Sequence, residues 1–137
     1  MSTDLSFLII RISLGLPLLL HGAQKLFGLC NGSGLKNWID YITSQNIPMT
    51  NIKFPKFMAI LAALIEFFGG LFILFGIYIK YAAIAVALFL LVAIKLVHCE
   101  EKGYFLQNGG FEYCLTLLLL SIVLIINGGG SYQLIKN

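Results

Sequence analysis

The chain has 137 residues, of which 59% are hydrophobic and 11% charged, and its formal net charge at pH 7 is +3. Soluble domains carry about 25% charged residues, so the composition excludes an ordinary soluble protein and predicts an all-α membrane protein. The basic residues are scattered, and several lie inside apolar runs, which argues against a nucleic-acid partner. The length allows one domain, residues 1–137, with the lipid bilayer as its main surroundings.

Four apolar segments are predicted to span the membrane, at about residues 5–27, 56–78, 81–97 and 110–126. A spanning helix needs about 20 residues to cross a hydrocarbon core of about 30 Å. Residues 57–94 are almost continuously apolar, and one straight helix of that length would be roughly twice too long. The run must therefore turn, and Gly76 to Tyr81 is the only suitable place. The first hydrophobic run is predicted to be a retained span, not a cleaved signal, and the fold to be a four-transmembrane-helix bundle.

A short amphipathic helix is predicted between the first two spans. Its apolar positions follow the i, i+3, i+4, i+7 spacing of a helix face: Leu35, Trp38, Ile39 and Ile42. The segment is too short to span, and Trp38 and Tyr41 suit the boundary between water and lipid. We therefore expect this helix to lie at the membrane interface.

The four spans also predict an orientation. Both termini and the short turn would lie on one side, and the two longer connections on the other, which we call the loop face. Basic residues near span ends are more frequent on the loop face (Lys25, Lys36, Lys53, Lys56, Lys95 and Lys102) than opposite it (Lys80 and Lys136). The positive-inside rule then predicts a cytoplasmic loop face, in a bacterial plasma (inner) membrane.

Glu66 is a carboxylate near the middle of the second span. A charge at the bilayer centre costs roughly 2.5–3.5 kcal/mol on insertion scales. Small residues recur on the same helical face, at Ala59, Ala62, Ala63, Gly69 and Gly70. Such faces allow membrane helices to approach closely, so Glu66 is predicted to point into the bundle and to have a partner on the first span.

The other spans also carry ionisable groups. On the first span, Arg11, His21 and Lys25 fall within an arc of about 80° at 100° per residue. All but Arg11 are predicted at mid-depth or toward the loop face. This convergence predicts a polar pocket that opens toward the loop face near Trp38, with six candidate residues: Arg11, His21, Lys25, Glu66, Lys95 and Glu112.

Each candidate also has a simpler interpretation. Lys25 and Lys95 could extend to the lipid headgroups, as lysines near span ends often do. Glu112 follows Asn108-Gly109-Gly110 and could cap a helix. His21 could be a neutral histidine bonded to backbone, while Glu66 and Arg11 could form a purely structural salt bridge.

Four motifs, in this order, resemble the signature of the DoxX family of small four-helix membrane proteins: Arg11-x-x-x-Gly15 with His21-Gly22-x-x-Lys25-Leu26, Glu66-x-x-Gly69-Gly70 with Gly76, Gly109-Gly110-Phe111-Glu112, and Gly128-Gly129-Gly130. In the last motif Gly129 stands where the family usually has proline. The resemblance covers nearly the whole chain and implies a four-helix membrane bundle. It also implies a link to membrane redox systems, since some relatives are subunits of a thiosulfate:quinone oxidoreductase or partners in oxidant-defence complexes.

Three functions are compatible with these observations. The first is a redox-associated membrane subunit, part of a quinone-linked oxidoreductase, whose pocket binds a quinone or a similar small molecule; its catalytic residues stay unassigned. The second is a non-enzymatic scaffold or assembly factor for a partner protein or a second copy. Transport of protons or a solute ranks last, because the chain lacks paired broken helices or inverted repeats.

The cysteines and histidines add little. Cys30 and Cys99 both follow span ends on the loop face and could form a dithiol, although two unrelated thiols is the favoured interpretation. Cys114 is expected to pack as a small apolar residue. The spacing of three cysteines and two histidines predicts no metal site. No cofactor is identifiable from the sequence, since no flavin, haem or iron–sulfur signature is recognisable. A quinone is the candidate that the resemblance to redox-linked relatives suggests.

Overall fold

The computed structural model describes residues 2–44, 55–95 and 103–135. Within these ranges the chain forms five α-helices: α1 (Ser2–Phe27), α2 (Gly34–Ser44), α3 (Pro55–Phe75), α4 (Ile79–Ala93) and α5 (Glu112–Asn127). A short 3₁₀ helix, Leu106–Asn108, precedes α5. The predicted all-helical class is confirmed, and α2 occupies the place of the predicted short helix.

In the described part of the chain, two helices are long and apolar enough to cross a membrane, Thr3–Phe27 and Pro55–Phe75. The helices Ile79–Ala93 and Glu112–Asn127 are apolar but shorter. The predicted third span, 81–97, ends in residues outside the described part of the chain. The turn between α3 and α4 lies where the apolar run required one. Gly76 has a φ of 73° there, a left-handed conformation that glycine adopts without steric cost.

Among the described helices, α1 and α3 share the most extensive contact. A Cβ atom on Gly22 would overlap the backbone of Phe67, and one on Gly70 would overlap the backbone of Leu19. Glycines thus let the two backbones come together, as small residues do in membrane helix pairs. The small-residue face of α3 points inward as its spacing predicts, with these buried members: Ala59, Ala63, Glu66, Gly69, Gly70 and Ile73.

The second half of the fold packs α4 against α5. Their contact forms most of a core that also includes Leu14, Leu18 and Ile73 from α1 and α3. A Cβ atom on Gly69 would lie 2.6 Å from Cγ2 of Val86, so α3 and α4 approach closely at this level. This core therefore draws residues from α1, α3, α4 and α5.

The chain after α5 returns to the turn between α3 and α4. Ile135 donates a backbone hydrogen bond to Gly76 (3.0 Å), and Ile77 forms an isolated parallel bridge with Ile135. The Ser131 backbone N–H donates to Oδ1 of Asp4 (2.9 Å). This terminal segment therefore joins the start of α1 to the end of α3, at the end of the bundle away from α2.

Candidate functional site

A cavity of about 550 Å³ lies between the helices, and α1, α2, α3, α4 and α5 all contribute to its wall. Its volume falls within the range of about 300–1,000 Å³ that is typical of small-molecule sites. Nearly all of its lining is apolar, and its few polar groups include His21, Lys25 and Glu66. A mostly apolar cavity with a few converging polar groups is the usual form of a ligand site.

The central polar feature is an ion pair between α1 and α3. Nζ of Lys25 lies 2.5 Å from Oε2 of Glu66, and the two side chains are 19% and 9% exposed. Lys25 is in the last turn of α1, and Glu66 belongs to the buried face of α3. Glu66 thus has a partner on the first helix, and that partner is Lys25, not Arg11 as in the alternative of a structural salt bridge. Removing one member of a buried pair typically costs about 3–5 kcal/mol, because the other charge is left uncompensated.

Trp38 of α2 holds Lys25 in place. Nζ of Lys25 lies 4.3 Å from the centroid of the Trp38 ring, and Nε1 of Trp38 donates a hydrogen bond to the Ala59 carbonyl (2.9 Å). Tyr41 stacks on the same indole, with ring centroids 6.0 Å apart. The sequence places Trp38 near the pocket mouth as an interfacial residue but does not reveal its contact with Lys25. The position of Trp38 on the apolar face of α2 is the feature of the sequence that indicates an inward-facing side chain.

His21 and two residues of α5 complete the polar side of the cavity. The His21 ring lies edge-on to Tyr113, with centroids 6.2 Å apart and planes at 66°. Tyr113 and Cys114 both line the cavity. Neither was among the candidate site residues, and Cys114 was expected only to pack. Their one indication in the sequence is that they directly follow Glu112.

The remaining candidates lie apart from this group. Lys95 is exposed just beyond α4 and is not part of the cavity wall. Glu112 also lies outside the wall, and its Oε1 accepts a hydrogen bond from the Leu106 backbone N–H (2.8 Å), which resembles the capping alternative. The structure thus brings together three of the six candidates: His21, Lys25 and Glu66.

Arg11 lies at the opposite end of the bundle. Its Nε donates to the Ile73 carbonyl (3.0 Å), its Nη2 to the Leu74 carbonyl (2.8 Å) and its Nη1 to the Tyr132 carbonyl. Lys25 is 14 positions after Arg11, which corresponds to roughly 21 Å along a helix. Arg11 therefore joins helix ends and is not a neighbour of Glu66.

The structure describes one of the two cysteines that could form a dithiol. Cys30 is a free, exposed thiol, and Cys99 lies outside the described residues, so the dithiol stays a prediction. Within residues 2–44, 55–95 and 103–135, no three histidine, cysteine or acidic side chains group as metal ligands would.

The arrangement has a definite chemical capacity. The Lys25 ammonium can donate a hydrogen bond to a ligand oxygen, the Glu66 carboxylate can accept one, and both Glu66 and His21 can exchange protons. These groups act next to apolar walls, where a hydrogen bond is stronger than in water. The cavity therefore suits a ligand that is mostly apolar and has one or two oxygen atoms at one end.

Comparison with known proteins gives the family. The sequence model of the DoxX family matches residues 6–99, which include Arg11, His21, Lys25 and Glu66. A curated protein of Bacillus subtilis (strain 168), described as "Putative oxidoreductase CatD", is 32% identical over 127 residues, covering 93% of this chain and 82% of that protein. No solved structure shows significant similarity to the chain. With a family match over more than half of its length, the chain belongs to the DoxX family.

Proposed function

We propose that this protein is a redox-associated membrane subunit whose cavity binds a quinone or a similar small molecule. The observation that carries the proposal is the Lys25–Glu66 ion pair, 2.5 Å long, in the wall of an otherwise apolar cavity of about 550 Å³. A quinone is an apolar ring with two carbonyl oxygens, so it matches that distribution of polar and apolar surface. The printed name of the Bacillus relative, "Putative oxidoreductase CatD", also supports a redox-associated role.

The residues have separate roles in the proposed reaction. Lys25 donates a hydrogen bond to one quinone oxygen and stabilises the negative charge that develops there during reduction. Glu66 and His21 relay the two protons that the ring takes up. The two electrons come from a redox centre of a partner protein, and the quinone leaves as the quinol. Trp38 acts as a positioning residue, because it contacts Lys25 and not the ring.

The proposed setting is a bacterial inner membrane, with α1, α3, α4 and α5 as four spans. α1 and α3 have the required length, and α4 and α5 are apolar helices of 15 and 16 residues. Large apolar side chains such as Leu20, Phe68, Leu88 and Leu119 are exposed on all four helices, as contact with lipid requires. The partner protein would dock on the loop face, which the positive-inside rule places in the cytoplasm.

The test is quinone binding and quinone-linked turnover by the purified protein in lipid nanodiscs, with its electron donor. We expect bound quinone in the wild type, and a loss of turnover of roughly a hundredfold in Glu66→Gln, because a positioned proton relay is worth about that much. Glu112→Gln is the matched control: it changes a carboxylate outside the cavity, and turnover should be unchanged. A protein without quinone, together with full turnover in Glu66→Gln, would contradict the proposal.

The scaffold alternative gives a different result in the same preparation. A scaffold would retain a stoichiometric partner after purification and would lose that partner when exposed residues of α2, such as Tyr41 and Asp40, are replaced. Its quinone content would be negligible, and Glu66→Gln would alter only thermal stability. The combination of quinone content and partner content therefore separates the two functions.

A further inference from the structure

Several residues of α3 and α4 that line the cavity are also partly or largely exposed. These helices are in close contact at Gly69 and Val86, where an added Cβ would lie 2.6 Å from Cγ2 of Val86. On the side of this contact that faces α2, both helices contribute residues to the cavity wall. The two helices thus form the sides of a cleft, and Glu66 lies one helical turn from its closed end.

The sides of the cleft are visible in the exposure of its lining. Three residues of α4 line the cavity and are exposed as well: Ala85, Leu88 and Val92. Leu88 is 59% exposed and Val92 43%. Their spacing places them on one stripe of the helix. His21 of α1 also lines the cavity and is exposed. The three α4 residues differ from it in forming a continuous apolar stripe, which we take as one edge of an opening.

The opposite edge is formed by α3. Leu61, Ala62 and Ile65 also line the cavity and are half-buried. We call the opening between the two edges the α3–α4 portal, formed by Leu61, Ala62, Ile65, Ala85, Leu88 and Val92. All six side chains are apolar, and in the proposed four-span arrangement the portal faces the hydrocarbon region of the bilayer.

We infer that the ligand enters sideways from the lipid through the α3–α4 portal, and that it is a quinone with a long isoprenoid chain that stays in the portal. This inference rests on the proposed function and specifies the substrate class of that site. An apolar portal suits a hydrocarbon chain. A water-soluble ligand would have to lose its hydration to cross the portal, which is costly for polar groups.

The polar end of the cavity selects a quinone over a phospholipid. Lys25 and Glu66 neutralise each other at 2.5 Å, and the walls around them are apolar. A phospholipid headgroup carries a phosphate charge. Among the described residues that line the cavity, the one lysine, Lys25, is already paired with Glu66, so desolvating that charge there is strongly unfavourable. An uncharged ring with two oxygen atoms avoids this cost. The chain then extends from the ring through the portal into the bilayer.

The first test compares two probes, a naphthoquinone with a long isoprenoid chain and the same ring with a methyl group in place of the chain. Binding is measured in nanodiscs, and the probe concentration is expressed per lipid so that partition into the bilayer does not count as binding to the protein. A chain already dissolved in lipid gains little hydrophobic free energy by moving into a protein. Leu88→Trp fills the portal, and we expect it to lower the affinity for the long-chain probe by about tenfold while the affinity for the methyl probe is unchanged.

The matched control is Leu91→Trp. Leu91 is on the same helix and is 51% exposed, but it does not line the cavity; its replacement should alter neither affinity. Equal effects of Leu88→Trp on both probes, or no effect on either, would overturn lateral entry while quinone binding stands. If the wild type binds neither probe, the proposed function fails, and this inference fails with it.

A second measurement needs no variant and so does not depend on the folding of one. A long-chain quinone with a photoreactive diazirine in its chain is irradiated with the wild-type protein in nanodiscs. Labelling of residues 85–92 and 61–65 that unlabelled quinone suppresses would support the portal. Labelling of Leu119, an exposed residue of α5, should not respond to competitor. Suppression that is equal at all lipid-facing positions, or absent at the portal, would overturn the inference.

Discussion

Arg11 is 2% exposed, and all of its observed hydrogen bonds go to backbone carbonyls. The last carbonyls of a helix have no partner within the helix, and a cation near them also interacts favourably with the helix dipole. The guanidinium satisfies Ile73 and Leu74 at the end of α3 and binds Tyr132 in the terminal segment. Arg11 is therefore a structural cap that connects three parts of the chain.

Replacement of Arg11 should reduce stability and leave ligand binding unchanged. Arg11→Met removes the side-chain donor to the Leu74 carbonyl and, among the described residues, leaves the Ile73 carbonyl with only the Gly76 N–H (3.3 Å). We expect a loss of about 3 kcal/mol in the free energy of unfolding. Arg11→Lys keeps the charge but not the planar fork of donors, so it should lose less. Thermal unfolding in nanodiscs measures both variants. Loss of quinone affinity at unchanged stability would show that Arg11 belongs to the ligand site.

The residues of the site differ in how far the sequence predicts them. The spacing of small residues around Glu66 was enough to predict its inward orientation and a partner on α1. The sequence includes Arg11 because it shares an arc with His21 and Lys25 on α1, and the estimated depth sets Arg11 apart from the other five candidates. The contact of Arg11 with Tyr132 joins residues 121 positions apart, and no local pattern encodes it.

At the level of helices, the contact of α1 with α3 depends on glycine at particular positions. A Cβ on Gly70 would overlap the backbone of Leu19 and lie 2.7 Å from the Gly15 carbonyl oxygen. At the adjacent Gly69 the only near atom is a side-chain methyl of Val86. A backbone can yield only if the helices separate, whereas a side chain can rotate. A larger residue should therefore be less well tolerated at Gly70 than at Gly69.

The two glycines offer a matched pair of substitutions. Gly70→Ala should destabilise the protein by about 2 kcal/mol, since overpacking costs typically 1–3 kcal/mol. Gly69→Ala should be nearly neutral, because the gain in helix propensity of about 1 kcal/mol offsets a smaller clash. The two variants are compared by their midpoints of thermal unfolding in the same nanodiscs. Equal midpoints for the two variants would contradict the close backbone contact of α1 and α3.

The helices themselves were largely predictable, since each rests on a local pattern. The apolar period of residues 35–42 predicted α2, and the excessive length of the apolar run 57–94 predicted the turn at Gly76. The residues of α4 and α5 that line the cavity, such as Leu88 and Tyr113, were not predictable. Their place depends on contacts between distant helices, and a single sequence does not encode those contacts locally.

At the scale of the whole molecule, the four-span proposal predicts which side of the membrane each connecting segment faces. Cys30 lies between α1 and α2, and Ser131 lies beyond α5; both are exposed. With four spans these positions face opposite sides of the membrane. The terminal segment that binds Gly76 and Asp4 would then lie on the side of the α3–α4 turn.

A membrane-impermeant maleimide tests this arrangement. Two variants are compared, both with Cys99→Ser and Cys114→Ala: one retains Cys30, and the other has Cys30→Ser and Ser131→Cys. In intact spheroplasts we expect labelling of the Ser131→Cys variant and none of the variant with Cys30, and the reverse in inverted vesicles. Labelling of both variants from one side would contradict four spans.

The central claim is that the Lys25–Glu66 pair marks a quinone site inside the bundle. The most direct measurement is an experimental structure of the protein in lipid nanodiscs supplied with a long-chain quinone. The account predicts a ring beside Glu66, with one oxygen within hydrogen-bond distance of Nζ of Lys25 and the chain between Leu88 and Ala62. Phospholipid or ordered water in that space, with quinone present in the disc, would contradict it.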